Sequence, residues 1–78
     1  MSISVIDIAA TGKKIKALSV EKGYSVARIQ QALQLESCQA VYKWFCGKSL
    51  PTSDNLVLLA QLFDVKVDDI LVIKAIHV

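Results

Sequence analysis

Among 78 residues the chain carries one histidine, His77, and two cysteines, Cys38 and Cys46. One imidazole and scattered carboxylates do not assemble a nucleophile, a base and an orienting group, so no enzyme is expected and no catalytic residue is assigned. The cysteines are eight residues apart in one predicted helix, roughly 12 Å along its axis, too far for an intrachain bridge. Neither has a second metal ligand beside it, and His77 reads as ordinary surface, so no metal and no cofactor are expected. No apolar run approaches the length of a membrane span. Met1 to Ala10 also lacks the basic start and long apolar stretch of a secretory leader, so a cytoplasmic protein without a membrane partner is expected. Internal repeats and low-complexity stretches are missing as well.

What is there is apolar: 54% of the residues, with a mean hydropathy of +0.48. One domain spanning 1–78 is expected, near the lower size at which a hydrophobic core suffices alone. So high an apolar fraction in so small a chain leaves surface for a partner, most simply a second copy. Charge is unevenly spread. Lys13, Lys14, Lys16, Lys22, Arg28, Lys43 and Lys48 outweigh Glu21 and Glu36, whereas from Ser49 onward Asp54, Asp64, Asp68 and Asp69 outweigh Lys66 and Lys74. A basic half joined to an acidic half suits a protein with one side toward phosphate.

Periodicity divides the chain into helices. The first runs from Asp7 or Thr11 to Glu21, with Ile8, Ile15 and Leu18 inward, and Gly23 ends it. Ser25 caps a second helix of about nine residues with Val26, Ile29, Ala32 and Leu33 on its core stripe. The turn Gln34-Leu35-Glu36 leads to Ser37, the expected cap of a third. Pro51 makes Lys48 to Pro51 a loop, and Thr52 or Ser53 starts a fourth helix with Leu56, Leu59, Ala60 and Phe63 inward. Val57, Leu58 and Leu62 are left for a fifth helix or a second subunit. That fifth helix begins near Val67, with Asp68 and Asp69 favouring its N-terminal dipole. The ends are β-branched and apolar. Met1 to Ile8 reads as an arm, a short strand or a lead-in to the first helix. Ser2 to Ile6 is expected to pair with a strand around Val72 to Ile76, within one chain or across a dimer.

The organising stretch is Ser37 to Pro51, a short amphipathic run between a cap and a glycine stop. Val41, Trp44 and Phe45 share one face, while Cys38, Gln39, Tyr42 and Lys43 fall mainly on the other. Gln39 has the bidentate amide that pairs with adenine in the major groove, and Lys43 reaches guanine or a phosphate. Trp44 is assigned to packing.

From Lys13 to Val72 the chain resembles the helix-turn-helix domains of the phage repressor and Cro type, the xenobiotic-response-element class of bacterial regulators. The resemblance is carried by Ile15 and Leu18 followed by Lys22-Gly23-Tyr24-Ser25, and by Ala32-Leu33 with Leu35. Val41-Tyr42-Lys43-Trp44, Gly47-Lys48-Ser49-Leu50-Pro51, Asn55-Leu56 and Asp69-Ile70-Leu71 complete it. It implies an all-α, compact five-helix domain with core 13–72, arm 1–10 and tail 73–78, in which the terminal strand pair is a small addition. It further implies a transcriptional regulator of the bacterial cytoplasm or nucleoid that binds double-stranded DNA as a homodimer through the helix starting near Ser37. Base-contact candidates are then Cys38, Gln39, Tyr42 and Lys43, although the Cys38 thiol is a weak donor. Ser25, through a nearby backbone N–H, and Arg28 and Lys48 are phosphate-contact candidates, which fix register without reading sequence.

The chain departs from relatives of that family at several points. Gln34 stands where many have glycine, implying either modest strain or a differently shaped turn, and Asp64 occupies a second such site. Valine at position 26 replaces a glutamine that clamps phosphate, and Lys66 replaces a capping serine. Ser19 and Phe45 replace an arginine–glutamate pair, so Phe45 is expected to be buried beside Ser19. The alternative function is an antitoxin-like or adaptor module of the same fold, gripping a protein partner through the fourth and fifth helices with weak DNA binding.

Overall fold

The computed structural model describes all residues, 1–78. Its elements in order are β1 (Ser2–Ile6), α1 (Ile8–Lys22), α2 (Val26–Leu33), α3 (Gln39–Phe45), α4 (Ser53–Phe63), α5 (Val67–Ile70) and β2 (Ile73–His77). Each helix boundary has a local cause. Asp7 caps α1, its carboxylate accepting from the Ala10 N–H at 3.0 Å, and Gly23 ends it in the left-handed region at φ 78°. Ser25 caps α2 by accepting from the Arg28 N–H, and Thr52 caps α4 by accepting from the Asn55 N–H. At α5 the lysine at the cap position offers no acceptor; instead Asp69 reaches back to accept from the Lys66 N–H at 3.0 Å. That helix is a single turn.

Two non-glycine residues, Gln34 at φ 55° and Asp64 at φ 57°, adopt the left-handed conformation that ends α2 and α4. At Gln34 the turn keeps the shape a glycine would take, and the glutamine bears the modest strain. The released N–H groups are used: Leu35 N–H donates to the Gln30 carbonyl at 3.0 Å and Val65 N–H to the Ala60 carbonyl at 2.9 Å.

The core is drawn from every helix: Ile15, Leu18, Ile29, Leu33, Val41, Trp44, Leu59, Ala60, Phe63 and Ile70. Three inward assignments need correction. Ile8 is exposed, because the first turn of α1 lies where the helical body passes into the strands and no helix covers it. Ala32 is also exposed, since Ile29 and Leu33 already complete the buried edge of so short a helix. Phe45 is half-buried at the margin of the core, while Ser19 is buried and satisfied by donating to the Lys16 carbonyl at 2.9 Å.

The all-α class expected from the sequence does not stand. The two ends of the same chain form an antiparallel two-stranded sheet, registered Ser2 with His77, Ser4 with Ala75 and Ile6 with Ile73. The terminal segments are β-branched, and pairing satisfies backbone groups that a helical extension would leave without a packed face. The result is five helices plus a β-ribbon, with an elongated outline of 43 × 23 × 20 Å. No helix is long and apolar enough to cross a membrane.

Thr11 ties the ribbon to the helices. Fully buried on α1, its hydroxyl accepts from the Val72 N–H at 3.0 Å and donates to the Val72 carbonyl at 3.4 Å. The same carbonyl accepts from the Asp7 N–H at 2.7 Å. Thr11→Val should therefore strand the Val72 N–H and cost about 1–3 kcal/mol in urea unfolding, with faster amide exchange along the ribbon. Thr11→Ser should retain most of both.

Candidate nucleic-acid interface

The α2–α3 unit is assembled from three restraints that fix where α3 lies. The first is a close backbone approach to α1. A Cβ on Gly12 would sit 2.0 Å from the Trp44 carbonyl oxygen and 3.2 Å from that of Phe45, so only glycine lets the end of α3 rest on α1. The second is Gly47, at φ 72°, where an added Cβ would lie 2.8 Å from the Ala9 Cα. It turns the chain out of α3 while Lys48 N–H donates to the Lys43 carbonyl at 2.9 Å. The third is Gln30 on α2. Its amide donates to the Leu35 carbonyl at 3.3 Å and its amide oxygen accepts from the Cys38 thiol at 3.0 Å, bracing the turn from within.

On this frame Val41 and Trp44 are buried while Gln39, Tyr42 and Lys43 are exposed. The helix begins at Gln39, two residues after Ser37. Even so, the Ser37 hydroxyl accepts from the Gln39 N–H at 3.3 Å, so the serine serves the helix start from one position further out. Gln39 and Lys43, one turn apart, line a shallow open depression with Ser37, Ala40 and Ser49. Leu35 and Glu36 complete its rim, and the Glu36 carboxylate weakens the pull of that depression on an anion. Tyr42 stands outside it on the exposed surface of the same helix.

The remaining candidates are distributed. Cys38 is half-buried and its thiol is committed to Gln30, which withdraws it from contact with a base and makes it part of the brace. Ser25 and Arg28 lie at the start of α2, where the Ser25 hydroxyl is occupied as a helix cap. The Arg28 guanidinium lies 6.0 Å from the centroid of the Tyr24 ring, at the outer limit of a cation–π contact. That ring packs at a tilt on Phe63, 5.9 Å between centroids. Lys48 is exposed in the loop after α3. No group of three His, Cys, Asp or Glu side chains lies close enough to hold a metal ion.

Sequence reasoning missed Gly12 and Gln30. A glycine inside a helix costs about 1 kcal/mol against alanine and is a signal of close packing. Gln30 carries no such signal, because its partners lie across a turn. No family model, curated protein or solved structure matches the chain.

Gly12→Ala should push α3 away from α1, since the obstructing atom is a backbone oxygen that cannot rotate aside. A loss of about 1–3 kcal/mol in unfolding free energy is expected, with a change in Trp44 fluorescence in the folded state.

Proposed function

We propose that the protein is a sequence-specific DNA-binding transcriptional regulator, acting as a homodimer whose two α3 helices enter successive major grooves about 34 Å apart. The observation that carries this reading is the exposure of Gln39, Tyr42 and Lys43 on one short helix whose opposite side is clamped to α1 and α2. Sequence readout needs donors and acceptors held in a fixed pose, because a bidentate amide contact with adenine tolerates little displacement. Gln39 supplies that amide. Lys43 adds a donor for guanine or phosphate, and Tyr42 a phenol for base or backbone. Arg28, Lys48 and the backbone N–H groups at the start of α2 supply phosphate contacts that fix register. The exposed lysines of α1, Lys13, Lys14 and Lys16, extend the cationic surface.

A second reading, a protein-interaction module, draws on a different observation. Val57 and Leu58 of α4 are exposed, and Leu58 with Leu62, Ala32 and Leu33 lines a second shallow cleft of mainly apolar character. A regulator should lose DNA affinity steeply as salt rises, whereas an adaptor should show little DNA binding to lose.

Selection of bound duplexes from a random DNA pool tests the leading reading, with an enriched consensus as the expected result. Gln39→Ala should then weaken binding to that consensus by roughly 1–3 kcal/mol and relax preference at one base pair. Lys48→Ala should weaken all sequences alike and reduce the salt slope by about one. An unchanged consensus and affinity in folded Gln39→Ala would count against base reading by this face.

A further inference from the structure

We propose that the terminal β-ribbon is the dimerisation surface, its apolar face packing antiparallel on the same face of a second copy. The inference deepens the two-copy arrangement of the functional reading and does not depend on DNA binding.

The register sorts the ribbon into two unlike faces. Directly opposed residues of an antiparallel pair point to the same side. One face therefore carries Ile3 with Ile76 and Val5 with Lys74, and the other carries Ser2 with His77, Ser4 with Ala75 and Ile6 with Ile73. Met1 and Val78 continue the first face, their backbones joined by the Val78 N–H donating to the Met1 carbonyl at 2.8 Å. That face is apolar up to Lys74, yet it is open to solvent: Met1 is 92% exposed, Val78 73%, Ile3 48% and Ile76 40%. Of the ten strand residues only Val5 is half-buried, and the others are exposed.

Two strands without a covered face are marginal in water, so this ribbon calls for a cover that the chain itself does not provide. A second copy fits by area and by charge. Residues of this size offer roughly 200 Å² each when fully exposed, so the four exposed fractions amount to about 500 Å² per copy. The pair would bury at most about 1,000 Å², the size of a weak, concentration-dependent interface. Lys74 lies at the inner end of the apolar face and Met1 and Val78 at its tip. An antiparallel two-fold packing therefore sets the two Lys74 ammonium groups at opposite ends, each beside the partner's tip, whereas a parallel one would bring them together. The symmetric, isologous arrangement is also the commonest form of a homodimer.

The test uses the whole protein without DNA. Sedimentation equilibrium should show a monomer–dimer transition whose midpoint moves to at least about tenfold higher concentration in Ile76→Lys, while Ser4→Lys, on the other face, leaves it in place. Because Ile76→Lys also risks opening the ribbon, a second measurement is made on the unmodified chain. In mixed isotope-labelled and unlabelled dimers, intermolecular NOEs should join the methyl groups of Ile3 and Ile76. A dimer whose midpoint ignores Ile76→Lys overturns the proposal, as do intermolecular NOEs centred on Leu58 and Leu62, or on Ala75 backbone amides, which would mean edge-to-edge pairing. A chain that stays monomeric at every concentration overturns it together with the two-copy arrangement. Loss of DNA selection with the ribbon dimer intact would remove the functional reading alone.

Discussion

Backbone lies on backbone where α1 meets the end of α3, and the candidate interface depends on that contact. Helices usually keep their axes 8–10 Å apart because side chains stand between them. At Gly12 no side chain stands there, and the Trp44 carbonyl occupies the space a Cβ would take. The approach has two effects. It sinks Trp44 into the core, where 3% of its surface remains exposed, and it fixes the rotation of α3 about its own axis. Once that rotation is set, the outward direction of Gln39 and Lys43 follows. A helix of seven residues could not hold such a pose alone, since isolated helices of that length are unstable in water.

The second layer of restraint is polar. Gln30 and Cys38 form a pair across the turn, and the Gln30 amide also holds the Leu35 carbonyl. These groups would otherwise need water inside a tight bend, and every buried side-chain polar atom in the protein has a partner. The α2–α3 angle is therefore set by hydrogen bonds on its inner side and by Val41, Ile29 and Leu33 in the core. A thiol in this role is a weak donor.

How much of this was legible in the sequence depended on the range of the interaction. Val41 and Trp44, Leu59 and Phe63, and the cap Ser25 could be placed, and the start of α4 narrowed to Thr52 or Ser53, because three- and four-residue spacing and local capping chemistry are local properties. Gly47 as a stop and Asp64 as a left-handed residue were legible for the same reason. The partners of Gly12 and Thr11 were not, since each lies far along the chain: the Trp44 carbonyl for one, the Val72 peptide for the other. Ile8 misled because it keeps helical phase with Ile15, yet phase cannot tell whether another element lies overhead. The all-α class failed on the weight given to the ends, whose β-branched residues pair into a sheet of their own. In the candidate site, Gln39 and Lys43 could be placed on one exposed face, but the commitment of Cys38 to Gln30 required the turn to be seen.

Joining the first residues to the last has a consequence for the order in which the structure forms. The helices meet over a range of separations, up to α1 with α5, but the Met1–Val78 and Ser2–His77 pairs close the longest loop, that of the entire chain. Closure entropy grows with loop length, and pairs of high sequence separation form late. By that argument the ribbon closes after the helices, zipping outward from Thr11 over a loop that the folded body, with Asp7 beside Val72, has already shortened. On unfolding the same path runs backward, with the ends separating first. The ribbon, exposed at nine of its ten strand residues, is consequently the least protected part of the molecule in the monomer, and whatever binds there acts on a late step of folding.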